Sequence, residues 1–253
     1  MIQLLPRLAL ALACATAPAL FAAESEVTSK TFLLNYEGHV TLRATTGVIR
    51  VNVWDRDEAR VDIIKHCESA DLLEFMRVNF ESAFNSLSIT TEIATATGPF
   101  GEIIDAGVVD VGLTLPRNST LEIEATTANI RVEDLRGNAT VKTTTGAVYL
   151  LNLAGSVTLE STHGPLHAAF DIVRDEQNIL VKNTYGGIRV QVPAALAAWL
   201  KARTLRGILK CDFPASLEDD RDGARVINAT LNGGGAHVFC ENVNGDVVIQ
   251  QRR

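Results

Sequence analysis

Seven times along this chain a small residue interrupts an apolar alternation, at Gly47, Ala128, Gly146, Gly164, Gly186, Gly207 and Gly245. Counted from these anchors, the sequence aligns into columns. Seven residues before stand Val40, Leu121, Ala139, Val157, Ile179, Leu200 and Val238, and five before stand Leu42, Ile123, Val141, Leu159, Val181, Ala202 and Cys240. Two after come Ile49, Ile130, Val148, Leu166, Ile188, Leu209 and Val247, and four after come Val51, Val132, Leu150, Ala168, Val190, Cys211 and Ile249. All four columns are apolar or thiol. Alternation of period two on both sides of a turn means two strands per unit, each with one buried face. The anchors at 128, 146 and 164 are 18 residues apart, room for two strands of roughly five residues and two short turns. A unit this small cannot bury its own apolar face, so each must stack on the units before and after it. The expected fold is all-β, a β-solenoid (β-helix-like) of about seven two-strand coils. An antiparallel meander shares the alternation, but Asn-Gly hairpin turns occur only at Asn232-Gly233 and Asn244-Gly245.

The remaining columns describe the turn and the outside. Three before the anchors stand Ala44, Ala125, Thr143, Ser161, Asn183, Thr204 and Asn242, smaller and more polar where a strand enters a turn. Four before stand Arg43, Glu124, Lys142, Glu160, Lys182, Arg203 and Glu241; from Glu124 to Lys182 successive units would present opposite charges along one ladder, which fixes register. Three after the anchors the mixed charges give way to Arg50, Arg131, Tyr149, His167, Arg189 and Lys210, a basic stripe that could dock an anionic envelope polymer or lipid headgroup.

From Trp54 to Asn118 the pattern lapses. Ala70 to Val78 reads as a short helix with Ser69 or Asp71 as N-cap, flanked by strands around 78–81, 87–91 and 108–115. An open solenoid end is an aggregating edge, so residues 54–118 are expected to cap one. The stretch 94–107, with Gly98-Pro99 and Gly101, reads as a loop.

At the start of the chain, Arg7 precedes an apolar run from Leu8 to Ala23 that is too short to span a bilayer and ends in small residues. That is the pattern of a secretory signal peptide over 1–23, cleaved after Ala22 or Ala23, with Ala19 as the alternative and acylation at Cys14 a poorer fit. Residues 24–253 then form one domain, periplasmic, secreted or on the cell surface, with no transmembrane segment in the mature chain. A net charge of −7 and a pI near 5.3 argue against nucleic acid as partner, since phosphate binding needs a basic footprint.

Several segments resemble a known family. These are Asn35-Tyr36-Glu37-Gly38, Leu115-Pro116, the repeated Thr-Thr-x-Gly-x-Val/Ile turns, and Leu231-Asn232-Gly233-Gly234-Gly235 followed by Asn244-Gly245-Asp246-Val247. Their order, from about Thr31 to Gln250, resembles the bacterial "putative adhesin" domain of unknown function. The resemblance implies an exported β-solenoid with an adhesive role, and it supplies no catalytic residues.

No chemistry announces itself in the residues. Nucleophile-elbow, Walker, dinucleotide and zinc-protease motifs are absent, so no catalytic residue, cofactor or metal is expected. His163-Gly164-Pro165-Leu166-His167 has a suggestive spacing but is better explained as exposed polar surface, and Glu218-Asp219-Asp220-Arg221-Asp222 lacks the regular spacing of a calcium loop. The expected role is therefore a non-enzymatic structural or binding one at the cell envelope, towards an envelope polymer, a lipid headgroup or a protein. The alternative is a polysaccharide-processing enzyme on the same scaffold, although the outer acids are dispersed among bases. Three cysteines follow the leader: Cys67, Cys211 and Cys240. Cys211 and Cys240 fall at inward positions of neighbouring units, which makes them candidates for a disulfide.

Overall fold

A computed structural model describes residues 24–97 and 100–252. The expected signal peptide and cleavage site, Cys14 and Gly98-Pro99 lie outside the described residues.

The chain is all-β. Its first part comprises β1 (Glu24–Leu33), β2 (His39–Trp54), β3 (Glu58–Cys67), a 3-10 turn (Ala70–Phe75), β4 (Met76–Ala83) and β5 (Ser86–Ile93). The two-residue β6 (Ala96–Thr97) and β7 (Ile103–Ile104) pair with each other within the segment read as a loop. Next come β8 (Val108–Pro116), β9 (Thr120–Glu133), β10 (Ala139–Thr145), β11 (Val148–Leu153), β12 (Val157–His163) and β13 (Leu166–Phe170). The last part holds β14 (Asn178–Tyr185), β15 (Ile188–Pro193), β16 (Ala198–Arg206), β17 (Leu209–Cys211), β18 (Leu217–Asp219), β19 (Arg225–Leu231), β20 (Ala236–Asn244) and β21 (Val247–Arg252).

All but β6 and β7 belong to one mixed sheet of 19 strands. The long β2 and β9 pass through their turns without a break, so they join two ladders into that sheet. The first ladder runs β4–β5–β2–β9–β10–β12–β14–β20–β16–β19–β18. The second runs β1–β3–β8–β2–β9–β11–β13–β15–β21–β17. Pairing is parallel through the middle of both and antiparallel only at the ends.

The columns read from the sequence are the registered partners of these ladders. Val181 pairs with Leu159 on one side and Cys240 on the other, and Ile188 with Leu166 and Val247. The five-before column is entirely buried, from Leu42 and Ile123 to Cys240 and Ala202. Val, Ile and Leu on successive strands thus face one continuous core between the ladders. Cys211 on the terminal β17 is the only one of the four apolar columns' members left half-exposed among the described residues.

Close stacking at the turns demands glycine where the backbone folds back. At Gly146, φ is +131° and a Cβ would lie 1.9 Å from the carbonyl oxygen of Ala128 in the unit beneath. The polar column three before the anchors completes those turns. The Asn183 amide donates to the Gly164 carbonyl at 2.8 Å, the Asn242 amide to Gly186 at 2.6 Å, and the Thr204 hydroxyl to Gly245 at 2.7 Å. Each side chain satisfies the anchor carbonyl of the unit stacked against it. Asn242→Leu is expected to keep the volume but orphan the Gly186 carbonyl, at a cost of about 1–3 kcal/mol in a urea-unfolding measurement.

Two expectations need correcting. The order of stacking is not the order of sequence, because the last unit, β20–β21, is inserted between β14–β15 and β16–β17. The charge column explains why. In stacking order it reads Arg43, Glu124, Lys142, Glu160, Lys182, Glu241, Arg203, with the sign alternating at every step. Arg43 Nε lies 3.1 Å from Glu124 and Arg203 3.5 Å from Glu241. Sequence order would have set Lys182 against Arg203, and like charges directly opposite are destabilising.

The second correction concerns the helix. Only Ala70–Phe75 turns, as 3-10, and Met76 already begins β4. Met76, Val78 and Phe80 alternate at period two and pair with β5, with Phe80 stacked on Phe32 of β1 at 5.6 Å. The strand period wins over the helical one. β2 meanwhile pairs directly with β9, Gly47 opposite Ala128. The segment 54–118 therefore loops out and adds β5 and β4 to one end of the first ladder, and β8 and β3 to the same end of the second.

Candidate functional site

The stripe three residues after the anchors lies on the outward side of the second ladder. Arg50 pairs with Arg131, Arg131 with Tyr149, Tyr149 with His167, and His167 with Arg189. Four inter-strand steps of about 4.8 Å make this a row of roughly 19 Å. The inward neighbours of each member are core residues, so the backbone fixes every member and only the side chain is free.

Its chemistry is basic with an aromatic centre. Arg50, Arg131 and Arg189 are exposed. The Arg131 Nε donates to Glu133 at 2.6 Å, so its charge is partly answered within its own strand. Tyr149 meets His167 edge-on, ring centroids 6.1 Å apart, and His167 Nε2 lies 3.2 Å from the side-chain oxygen of Gln191. Lys210 is where the sequence reading and the structure part. The inserted β21 puts Val248 between Arg189 and Lys210, so Lys210 stands two strands from Arg189 and outside the unbroken row.

The other sequence candidates are dispersed. His163 stands on the turn ridge of the first ladder with its ring stacked on Tyr185 at 4.9 Å, while His167 faces out from the second ladder. Among the described residues no group of three or more His, Cys, Asp or Glu is placed to hold a metal ion. Of the acidic run, Glu218 and Asp219 lie in β18 and Asp222 pairs with Arg203. The outward Glu124, Glu160 and Glu241 alternate with bases and do not face one another as a catalytic carboxylate pair.

One feature escaped the repeat alignment. On the outward side of the first ladder, β19, β16 and β20 build a cleft of about 470 Å³ lined by Trp199, Lys201, Asn228, Thr230, His237 and Phe239. β19 belongs to no repeat, so nothing in the columns could show that Asn228 and Thr230 complete it. The available signal was Trp199 itself, a large aromatic at an outward position.

No helix among the described residues is long and apolar enough to cross a membrane. No protein-family model and no curated protein matches the sequence. Among solved structures the chain is similar to a "putative cell adhesion protein" from Clostridium sporogenes, with a TM-score of 0.46 and 11% identity over 90% of this chain and 100% of that one. It is also similar to a "putative adhesin" from Bacteroides fragilis, with a TM-score of 0.36 and 12% identity over 88% of this chain and 97% of the other. A third likeness is to a "putative lipid binding protein" from Parabacteroides distasonis, with a TM-score of 0.29 and 9% identity over 90% and 97%. Of the solved structures to which the chain is similar, four are bacterial putative adhesins or adhesion proteins and one is a putative lipid binding protein.

Proposed function

We propose that the chain is an exported, non-enzymatic β-solenoid, a single domain after removal of residues 1–23, that attaches to anionic groups at the cell envelope through its basic column. The observation that carries this reading is the unbroken row of Arg50, Arg131, Tyr149, His167 and Arg189 across five adjacent strands. On a chain of net charge −7, a cationic row with fixed spacing concentrates positive potential where the rest of the surface repels anions. Phosphates or carboxylates recurring along an envelope polymer, or presented by lipid headgroups, fit such a row. The parallel, in-register ladders support the solenoid reading.

The experiment separates binding from catalysis. The mature chain is incubated with purified anionic envelope glycan, and both retention and release of saccharide fragments are measured. Retention without fragments is expected. Fragment release would establish a polysaccharide-processing enzyme instead.

Export also bears on the thiols. The structure holds Cys67, Cys211 and Cys240 as free thiols. Burial pushes the Cys240 thiol up to about 12, with the neighbouring Cys211 thiol adding to the effect, and burial raises Cys211 as well. Few thiolates then exist in the folded protein at neutral pH, so a Cys211–Cys240 bridge would close as the chain folds in an oxidising compartment. Thiol titration of the denatured, unreduced exported protein decides between bridge and free thiols: a single free thiol, Cys67, would support the Cys211–Cys240 bridge. Finding three would exclude the bridge.

A further inference from the structure

We propose that the cleft around Trp199 is a saccharide subsite that takes an acidic pyranoside, a sugar ring bearing a carboxylate. It lies on the opposite ladder from the basic column and does not depend on that column's role.

The ring platform is built, not incidental. Trp199 stands outward on β16 with 46% of its surface exposed. Gly234, at φ +85°, lets the loop after β19 press against the indole, since a Cβ there would come within 2.6 Å of the ring. The His237 ring flanks the indole on the β20 side, centroids 4.7 Å apart. The indole is therefore held in place before any ligand arrives, which lowers the ordering cost of binding. A flat, exposed aromatic face buries the CH-bearing face of a pyranose by the ordinary area-driven effect.

The polar groups around it are left without hydrogen bonds from the protein. Among the described residues, the side chains of Lys201, Asn228, Thr230 and His237 and the Trp199 Nε1 make no hydrogen bond within the protein, yet all line the same cleft. Elsewhere on this ladder the outward bases alternate with acids, but Lys201 has Asn228 and Phe239 as its cross-strand neighbours. Its ammonium lies 5.8 Å from the Phe239 ring centroid. Lys201 forms no ion pair among the described residues, and its far side borders a second cleft lined by Glu218, Asp219, Asp220 and Glu241. On the Trp199 side, an unpaired cation beside an aromatic platform and three hydrogen-bonding side chains matches one carboxylate, one ring face and several hydroxyls. A volume of about 470 Å³ falls in the range of small-ligand sites.

The same geometry argues against other occupants. An acyl chain would desolvate Lys201, Asn228 and Thr230 without pairing them. A peptide added as a strand needs a free edge, and β16 is already paired on both sides.

The test is a fluorescence titration of the mature chain with trigalacturonate and with its methyl ester, which keeps the rings but removes the charge. Trp54→Phe is introduced first, so that Trp199 alone reports. Because the signal comes from the cleft, anion binding at the basic column does not register. Saturable quenching by trigalacturonate is expected, at least ~10-fold tighter than by the ester. Lys201→Gln should erase that preference and Asn228→Ala should weaken both sugars, with melting temperatures unchanged. Absence of saturable quenching up to ~10 mM sugar, or a charge preference that survives Lys201→Gln, would overturn the proposal.

Discussion

Val181→Asp is expected to leave no soluble folded protein. The side chain is fully buried between Leu159 and Cys240 on adjacent strands, in a column apolar or thiol in every unit. No base shares that column, so a carboxylate there has no partner and cannot reach water. An uncompensated buried charge costs several kcal/mol, a large part of the roughly 5–15 kcal/mol that holds a domain folded. Lys182→Asp, one residue away, is the matched control. Lys182 faces outward between Glu160 and Glu241, so reversing it sets three acids in a row in high dielectric, for a loss of about 1 kcal/mol. Soluble yield and thermal melting separate the two. A native transition for Val181→Asp, with its loss for Lys182→Asp, would invert the assignment of faces.

Truncation after Gly235 is expected to be as damaging, for a reason that depends on stacking order. It removes β20 and β21, which lie inside the ladders and not at their end. Without them β14 and β15 lose one partner each, and so do β16 and β17. Closing the gap would oppose Lys182 to Arg203 and remove the Asn242 amide from the Gly186 carbonyl. Aggregation through the exposed edges should follow. Had the units stacked in sequence order, the same cut would trim one terminal unit and the rest would hold. A truncated protein that melts within a few degrees of the full chain would therefore refute the insertion.

The parts of this fold legible in the sequence are those governed by period two. Val181, Val141 and Ile188 declare their burial because a strand places every second side chain inward whatever its partner. Stacking order is less legible, since Val238 and Leu200 fit either slot equally well. The distinguishing information sat in the outward charges, where Glu241 belongs between Lys182 and Arg203 and only the inserted order gives full alternation. Leu72, Leu73, Phe75 and Met76 suit a helical face, but pairing with β5 takes the chain from Met76 onward and leaves only a 3-10 turn before it. The basic row was legible as a column; the loss of Lys210 from it follows from the same insertion. The Trp199 cleft needed β19, which pairs antiparallel and outside any repeat.

The basic column makes the account's functional claim, and charge reversal with salt tests it directly. The chain without residues 1–23 and its Arg131→Glu/Arg189→Glu variant are compared for retention on anionic and on neutral vesicles over a range of salt. Both arginines are exposed, so stability should change by no more than about 1 kcal/mol. Each basic residue near an anionic surface contributes about 1 kcal/mol, so the variant should bind at least ~10-fold more weakly. The native chain should lose affinity as salt rises. Retention that neither the double reversal nor salt alters would contradict the claim.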